Sequence, residues 1–382
     1  MDMLELLDSM RAQEADVSRL FGGDGRSVRG RKGPRYHQQL LEATRLVAGV
    51  ISGRRSFQVF KEAMSTDDFP LLFGDILDRQ MLASYREAPS TYQQWVKISR
   101  NVPDFRNVKR FALEGGDSTL DEVPQLTEYP QTSLDEAKYE YAVKKYGRRI
   151  DFSWEAQVNQ DVDFLREIPN ILGRAARRTE RKFASGLRLD VNGPHASLYT
   201  VGFGNIVTGN PVLSVAALET ALNLLRNQTD AGGEPIVFEE AVLVVPPALE
   251  ITANRIIETT EYRTVVGGIT QIIKGTGLGG RLSVAVDPYQ PIVASTANGA
   301  TTWAVFASPT DGRPALEMGF LAGHNEPEIR LKSPNSQRVG GGDVNPLDGD
   351  FDTDGVAYRV RHVLGGTRID PNATVASNGS GS

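Results

Sequence analysis

Three observations predict an α+β fold for this chain of 382 residues. Between residues 163 and 187, apolar side chains recur at steps of three and four, which is the period of one helix face. Between residues 93 and 154, two strand-like runs flank a long tip, as in a β-hairpin. Between residues 214 and 335, short apolar strands are mixed with helices. The long helix and the hairpin therefore occupy separate blocks of the chain, and only residues 214–335 mix strands with helices, which favours an α+β protein.

The composition is that of a soluble globular protein, with 40% hydrophobic and 24% charged residues. The net charge of −6 argues against a general nucleic-acid binder, so any contact with nucleic acid must be local. The absence of cysteine excludes disulfides, thiolate metal sites and thiol nucleophiles. No apolar stretch approaches the ~18 residues of a membrane span, and the N-terminus has no basic n-region. We therefore expect neither a membrane partner nor export.

The N-terminal part is expected to consist of helices and connectors. Residues 1–20 have the imperfect apolar spacing of a short amphipathic helix, and residues 36–64 and Asp75–Tyr85 also have helical periodicity. Residues 65–73 are expected to form an extended or cap-rich connector. Residues 22–35 form a glycine-rich basic linker, which either contacts a polyanion or is simply solvated. Its cationic residues are Arg26, Arg29, Arg31, Lys32 and Arg35.

A long hairpin arm is predicted for residues 93–150. Trp95–Leu113 leads into the tip and Lys138–Trp154 leads out of it; the alternation in the second run changes parity, which predicts a bulge near Gly147. The tip, Phe111–Pro130, is acidic and has no Lys or Arg, whereas both stems are basic. The acidic residues of the tip are Glu114, Asp117, Asp121, Glu122 and Glu128. Because a two-stranded arm is at best marginally stable alone in water, it needs a surface to lie on.

The long amphipathic helix is expected to start near Asp163, with its regular part from Pro169 to Leu187. Its apolar stripe is Phe164, Ile168, Ile171, Leu172, Ala175, Thr179 and Phe183. Its solvent side is expected to carry several cations and only one acidic residue, Glu180. These cations are Arg174, Arg177, Arg178, Arg181 and Lys182. A solvated helix face does not need so much positive charge, so the pattern predicts an acidic partner. The acidic tip of a neighbouring copy could supply it.

The rest of the chain is predicted to form an α/β unit followed by a return strand. Ser214 caps a helix that carries Leu218, Leu222 and Leu225. The predicted strands are Ala241–Val245, Leu282–Val286, Trp303–Ala307, Ala315–Phe320, Glu328–Leu331 and Val356–Leu364. We expect residues 333–355 to form a loop and the residues from Pro371 onward to be disordered.

Two motifs suggest ligands, but their context argues against both. Gly275–Gly280 fits the dinucleotide pattern G-x-G-x-x-G, yet it opens into a strand where that pattern requires a helix. Residues 350–355 match the start of an EF-hand calcium loop, yet the twelfth position is Arg361 rather than glutamate, which favours an acidic turn. The histidines, His37, His195, His324 and His362, have no ligand spacing. We therefore expect no catalytic, cofactor-binding or metal-binding residues, no cofactor and no enzyme activity.

Several segments, taken in order, resemble the major capsid proteins of tailed bacteriophages, whose fold is called the Hong Kong 97 type. They are FSWEAQVNQD, IPNILGRAARRTERKF, VVPPALE, TTWAVFASP, RPALEMGFL and YRVRHVLGGTRIDP, and the resemblance covers about residues 70–370. It implies a Hong Kong 97-type capsid fold, whose parts follow in chain order. They are an N-terminal arm (1–70), the start of a peripheral domain (71–92), an extended hairpin loop (93–150), the peripheral domain with its spine helix (151–213), an axial domain (214–335), and a return to the peripheral domain with a tail (336–382).

The resemblance implies a structural protein that assembles into hexamers and pentamers of an icosahedral head enclosing double-stranded DNA. The extended loop of one copy then lies over the spine helix of its neighbour. The inter-subunit contact candidates are Glu114, Asp117, Asp121 and Glu122 against Arg174, Arg177, Arg178 and Arg181. The DNA-facing candidates are Arg26, Arg29, Arg31, Lys32 and Arg35. The implied partners are copies of the chain, packaged DNA held by non-specific contact, and portal, scaffolding or cement proteins, with assembly in the bacterial cytoplasm.

Two other functions stay open. Within the same fold, the chain also resembles the shell proteins of bacterial encapsulin-type nanocompartments, which are generally shorter; the leader at residues 1–70 favours the virus. From another class, a soluble nucleotide-binding α/β enzyme would use the glycine loop. Electron microscopy and size-exclusion chromatography separate the three, because they predict megadalton shells with DNA, shells with protein cargo, and small oligomers.

Overall fold

The computed structural model describes residues 34–51, 54–64, 69–87, 90–114, 123, 135–153, 163–229, 233–258, 261–266, 269–274, 282–296, 298–310, 313–332, 351–352 and 354–381. Within these ranges the helices are α1 (Pro34–Ile51), α2 (Phe57–Met64), α3 (Phe69–Glu87), α4 (Asp163–Arg188), α5 (Val215–Arg226), α6 (Glu250–Glu258) and α7 (Gln290–Val293). No helix of the described part combines the length and the apolar character that a membrane crossing requires.

The strands within the same ranges are β1 (Lys97–Val102), β2 (Val108–Glu114), β3 (Asp135–Tyr141), β4 (Lys144–Ser153), β5 (Leu189–Asp190), β6 (Gly193–Pro194), β7 (Ala241–Val245), β8 (Glu261–Val266), β9 (Ile269–Lys274), β10 (Leu282–Val286), β11 (Trp303–Ala307), β12 (Leu316–Leu321), β13 (Glu328–Leu331), β14 (Gly355–Arg368) and β15 (Thr374–Ser377). The chain divides into two units. The first unit consists of Met1–Pro89, Lys145–Arg177 and Glu326–His362, and the second of Ser90–Lys144, Arg178–Asn325 and Val363–Ser382.

The first unit packs helices α1, α2 and α3 and the first part of α4 around one hydrophobic core, together with the first half of β14. Phe60 of α2 and Phe73 of α3 meet edge to face, with ring centroids 5.0 Å apart. Gly173 of α4 lies so close to α3 that a Cβ atom would come within 2.5 Å of the Met81 carbonyl oxygen. Glycine therefore permits the two helices to touch through their backbones. Other buried members of this core are Leu40, Val47, Ile76, Leu172 and Tyr358.

The sheet of the first unit is formed by β4, β13 and the first half of β14. Strand β13 pairs antiparallel with β14, with Leu331 opposite Tyr358, and β4 also pairs with β14. At Gly147, a Cβ atom would come within 2.7 Å of the Val360 carbonyl oxygen. Gly147, near which the sequence predicts a bulge, thus marks a close approach of two backbones. The predicted second run of the hairpin is interrupted at residues 142–143, between β3 and β4.

The second unit contains a sheet in the order β10-β7-β11-β15. Strands β7, β11 and β15 are buried along their whole length, because helix α5 packs against β11 and β15 and helix α6 packs against β10. The hydroxyl of Thr91 donates to the carbonyl of Val286 at one edge. At the other edge, the amide of Val207 donates to the carbonyl of Ala376. Each edge strand is therefore hydrogen-bonded by a segment outside the sheet.

A second set of strands in this unit holds the start of the hairpin. Strand β1 pairs in parallel with β12, and β12 pairs antiparallel with the second half of β14. From β14, Arg368 donates to the carbonyls of Leu187, at 2.6 Å, and Gly186, at 3.2 Å. These carbonyls belong to the last turn of α4, where a cation also complements the helix dipole. Arg368 therefore caps α4 from a strand distant in sequence.

Most predicted elements are confirmed, and the bounds of β7, β10, β11 and β13 are as predicted. The hydroxyl of Ser214 accepts from the amide of Ala217, as a capping residue should. The extended connector at residues 65–73 is wrong for Phe69–Phe73, which starts α3. Pro70 stands in the first turn, where its missing N–H costs nothing, and Phe73 is buried.

Disorder from Pro371 onward is also wrong. Residues Thr374–Ser377 form the buried strand β15, which pairs with β11 in the register Trp303 to Ser377 and Phe306 to Thr374. The carboxylate of Asp370 accepts from the amide of Asn372 and so fixes the turn before the strand. The hairpin β8–β9 was not predicted. Predictions for residues 1–20, for most of residues 22–35, for Gly275–Gly280 and for residues 333–350 lie outside the described ranges.

Candidate inter-subunit surfaces

The predicted hairpin is present as the antiparallel pair β2–β3. Its ladder runs without a register shift from Val108 opposite Tyr141 to Glu114 opposite Asp135. Phe111–Glu114 thus belong to a stem rather than to the tip. Of the predicted acidic contact residues, Glu114 ends β2, whereas Asp117, Asp121 and Glu122 lie outside the described residues.

The base of the hairpin is anchored in the second unit by a small hydrophobic cluster. Its buried members are Val102, Tyr141, Val143, Leu321 and Val363. The hydroxyl of Tyr141 also donates a 2.7 Å hydrogen bond to Oε1 of Glu317, a carboxylate that is buried in β12. A buried carboxylate is tolerated only when hydrogen-bonded, so this contact couples the end of β3 to the sheet. These contacts hold the base of the hairpin against the sheet.

The described part of the hairpin stems carries exposed cations, and the sequence predicts that the stems are basic. Exposed cations of the second unit along or beside the hairpin are Lys97, Arg100, Arg106, Lys109 and Lys144. At the turn between β1 and β2, the carboxylate of Asp104 accepts from the amide of Arg106, and the side chain of Phe105 is 54% exposed. This part of the stem offers positive charge and an aromatic ring to solvent.

Helix α4 carries the predicted arginines, but they do not share one environment. Arg174, Arg178 and Lys182 are exposed and recur every four residues. Arg181 is half-buried. Ile171, predicted for the apolar stripe, is 45% exposed, while Ile168, Leu172 and Ala176 are buried. The buried face is therefore rotated slightly from the predicted stripe.

The prediction that Arg177 and Glu180 face solvent is wrong. Arg177 is 7% exposed; its guanidinium lies 3.9 Å from the centroid of the Tyr85 ring, and its Nε donates to the Tyr85 carbonyl at 3.1 Å. Glu180 is fully buried and accepts a 2.8 Å hydrogen bond from the hydroxyl of Tyr92. Both charged groups are retained inside because aromatic residues from earlier in the chain satisfy them. Arg177 is therefore committed to a contact within its own chain.

The end of α4 contributes a buried polar network that the sequence did not predict. Nη2 of Arg188 donates to Oδ2 of Asp287 at 2.8 Å, and their side chains are 0% and 3% exposed. The hydroxyl of Ser185 donates to the same carboxylate at 2.7 Å. Arg188 also donates to Oε1 of Gln290, and Nε2 of Gln290 donates to the carbonyl of Thr302. This network joins α4 to α7 and to the strand that follows.

The DNA-facing candidates cannot be placed. Arg26, Arg29, Arg31 and Lys32 lie outside the described residues, and Arg35 lies in the first turn of α1, where its side chain is not described. Among the residues that the structure describes, no three side chains of the metal-binding types stand together.

Two histidines have a structural role in the described part of the chain. The ring of His362 is buried against Tyr85, with centroids 6.1 Å apart. Nδ1 of His195 accepts from the amide of Ser197 at 3.1 Å. Partial burial lowers the pKa of His195, the charge of Arg368 lowers it further, and Asp190 opposes both effects. The neutral ring is thus the form that fits this turn.

Solved structures of low sequence identity are similar to this chain. One from Gordonia phage Cozz is 15% identical, with a TM-score of 0.43, over 74% of this chain and 83% of that chain. The capsid of the cyanophage P-SCSP1u is 12% identical, with a TM-score of 0.46, over 75% of this chain and 86% of that chain. A virus-like particle from Pyrococcus furiosus is 12% identical, with a TM-score of 0.42, over 80% of this chain and 99% of that chain. No curated protein matches the chain.

A family model described as phage capsid protein matches residues 136–377. This range is more than half of the 382 residues, and it runs from β3 of the hairpin through α4 to the end of β15. It therefore includes the hairpin base, the basic helix and the buried strand β15. The chain belongs to the phage capsid protein family.

Proposed function

We propose that this structural major capsid protein forms the hexamers and pentamers of an icosahedral phage head that encloses double-stranded DNA. The observation that carries the proposal is the family match across residues 136–377. Membership of the family makes the chain a component of the virion capsid that associates with copies of itself. Its arrangement in hexamers and pentamers, and its contact with DNA, are the parts that we propose.

The hairpin arm is the proposed contact between neighbouring copies. Strands β2 and β3 pair with each other, and the hydrophobic cluster of Tyr141 and Val102 fixes their base. Beyond that base, a two-stranded ribbon needs a surface outside itself, since ordering each residue costs ~1–2 kcal/mol of backbone entropy. A neighbouring copy supplies such a surface, so each copy helps to order the next. Many weak contacts of this kind add through multivalency into a stable shell.

Charge complementarity is proposed to guide that contact. The tip residues Asp117, Asp121 and Glu122 are proposed to meet a basic surface of the neighbour, for which the exposed Arg174 and Arg178 of α4 are one candidate. Arg177 is removed from the set because its guanidinium is held by Tyr85. A lone surface ion pair contributes only ~0–1 kcal/mol. The charges therefore set register and partner orientation more than affinity.

The domain organisation is proposed to follow the capsid arrangement. An N-terminal arm (1–70) precedes a peripheral domain whose spine is α4, and the hairpin loop (93–150) and an axial domain (214–335) complete the subunit. The basic residues of the arm are proposed to contact packaged DNA non-specifically. Portal, scaffolding or cement proteins complete the particle, which assembles in the bacterial cytoplasm. We assign the chain no catalytic role.

Expression of the full chain in bacteria tests the proposal. Sedimentation, size-exclusion chromatography and electron microscopy of the purified protein should show closed megadalton shells with hexameric and pentameric units. Shells that carry a co-purifying protein cargo would instead indicate a nanocompartment. A small soluble oligomer that binds a nucleotide would contradict the proposal.

A further inference from the structure

A basic cleft lies on the sheet of the first unit. We use this name for a cavity of about 400 Å³ whose cationic lining is Arg149, Arg330, Lys332 and Arg359. Arg149 lies on β4, Arg359 on β14 and Arg330 on β13, so three paired strands each contribute one arginine. The remaining lining residues are Leu331, Ala357 and Tyr358. The four cations are exposed, whereas Tyr358 is buried beneath them.

The cleft places like charges against each other. Arg330 and Arg359 are directly opposite on adjacent antiparallel strands. Cβ atoms of such cross-strand neighbours lie ~4.5–5.5 Å apart, and like charges at this position are destabilising. The strand pairing therefore retains a repulsion that an apolar or acidic residue at either position would remove. An anionic partner seated in the cleft would convert this repulsion into attraction.

The nearby carboxylates do not balance the cleft. Arg149 pairs with Asp151. Arg330 lies 3.4 Å from Glu328, but the same carboxylate accepts from Arg361 at 2.6 Å. Within the described residues, no carboxylate is within ion-pair distance of Arg359. Burial also raises the pKa of Tyr358, so its phenol adds no negative charge at neutral pH. Among the described residues, the facing pair Arg330 and Arg359 is therefore only partly compensated by carboxylates.

We infer that the basic cleft receives the acidic segment 114–128 of a second copy of this chain. This segment has five carboxylates, Glu114, Asp117, Asp121, Glu122 and Glu128, and no Lys or Arg. Guanidinium groups bind carboxylates with two parallel hydrogen bonds, so a row of arginines suits a run of Asp and Glu. Each copy offers one segment and one cleft, which makes the contact self-propagating. The inference rests on the proposed function, and it names the receiving surface.

Two alternatives to this inference exist. In one, the acidic segment binds α4 instead of the cleft; in the other, the cleft binds nucleic acid instead of the segment. The exposed arginines of α4, Arg174 and Arg178, are separate cations on a convex helix, whereas the basic cleft gathers its charges around a concavity. Nucleic acid is the other polyanion in the proposed head, and the proposed function assigns its contact to the basic residues of the N-terminal arm. The acidic segment carries the complementary charge, and each copy of the chain has one segment for each cleft.

A charge-exchange experiment on the full chain tests the inference. We make R330E/R359E in the cleft and D121K/E122K in the segment, and we measure shell yield by sedimentation and electron microscopy. Each double variant alone should lower the yield roughly tenfold or more, because one reversed contact is repeated at every copy of the shell. A single chain that carries all four changes should recover most of the yield. Co-expression of the two double variants should also recover it in part, since opposite charges then meet between copies.

Matched controls identify the receiver. R174E/R178E reverses two arginines of α4 and should change the yield less than about twofold, with no recovery from D121K/E122K, because the inference seats the neighbour's acidic segment in the cleft and not on α4. If R174E/R178E restored the shell yield of D121K/E122K and R330E/R359E did not, the inference would be overturned. So would normal assembly of R330E/R359E with a lower nucleic-acid content, which would assign the cleft to nucleic acid. If R330E/R359E is insoluble, R330Q/R359Q replaces it, because neutral side chains relieve the repulsion, and assembly should still fall. Wild-type protein that forms small oligomers would contradict the proposed function instead.

Discussion

The hydroxyl of Tyr141 donates to Oε1 of Glu317 over 2.7 Å, and this bond joins the last residue of hairpin strand β3 to the second residue of β12. Replacing Tyr141 by Phe removes the donor and leaves a buried carboxylate that has lost one of its hydrogen bonds. We expect the free energy of unfolding of the soluble subunit to fall by about 1–3 kcal/mol in urea titrations. Adding Glu317→Leu should recover part of the loss, because it removes the buried charge. Unchanged stability in Tyr141→Phe would contradict this assignment.

The Arg188–Asp287 pair gives a larger expected effect, since both side chains are almost completely buried. Arg188→Met should lower the free energy of unfolding by about 3–5 kcal/mol, because it leaves the Asp287 carboxylate without its cation. The double variant Arg188→Met with Asp287→Leu should lose less than the sum of the single changes. A double-mutant cycle from denaturant unfolding measures the coupling free energy between Arg188 and Asp287. Strictly additive losses of stability would show that the two residues do not interact.

The stability of the second unit should depend on the protonation of His195. Its pKa in the fold is lowered from 6.5 by burial and by Arg368. The unfolded chain therefore binds more protons in the window between the lowered pKa and 6.5, and stability rises with pH there. The contribution is present above pH 6.5 and is lost as the pH falls through the folded pKa. His195→Asn keeps an acceptor for the Ser197 amide but does not titrate.

Thermal unfolding between pH 5 and pH 8 checks this dependence. Above pH 7 the variant should match the wild type closely, which provides the internal control. Below pH 6 the wild type should lose more stability than the variant. Parallel pH profiles for the two proteins would show that another group is responsible.

Strand β15 should be indispensable, although its sequence predicts a polar tail. Deleting residues 371–382 removes β15, which pairs with β11 from Trp303 to Phe306, and uncovers one edge of the buried strand β11. We expect no soluble, folded subunit. Deleting only residues 380–382 removes the hydrogen bond from Gly381 to the Asn210 carbonyl and should cost about 0.5–1.5 kcal/mol. Solubility and circular dichroism distinguish the two deletions, and a folded protein that lacks residues 371–382 would refute the expectation.

The sequence predicts those elements whose signal is local. Apolar runs such as Ala241–Val245 end at Pro246, and Ser214 precedes a helical period, so both bounds follow from neighbouring residues. Thr374–Ser377 has no such signal: the segment is short and half polar, and its burial comes from pairing with β11. The helical start at Phe69–Phe73 is not evident from the sequence because proline usually interrupts a helix. Pro70, however, stands in the first turn, where proline is accepted.

The candidate site shows the same limit. The spacing of α4 correctly leaves Arg174 and Arg178 in solvent, yet it cannot show that Tyr85 holds Arg177 or that Tyr92 satisfies Glu180. The basic cleft depends on the register of β13 against β14, which sets Arg330 opposite Arg359. These residues are distant from Arg149 in sequence, so no local pattern gathers them. Nonlocal pairing therefore decides which charges are available to a partner.

The parallel pairing of β1 with β12 has a consequence for biogenesis. Lys97 pairs with Glu317, more than two hundred positions later, and Val363 completes the cluster at the hairpin base. During translation, this region therefore waits on the order of ten seconds or more for its partners to leave the ribosome. High contact order makes such folding slow and exposes apolar edges to aggregation, so a chaperone should raise the yield. Nascent chains consequently cannot present a finished arm, and polymerisation is delayed until most of the polypeptide has been made.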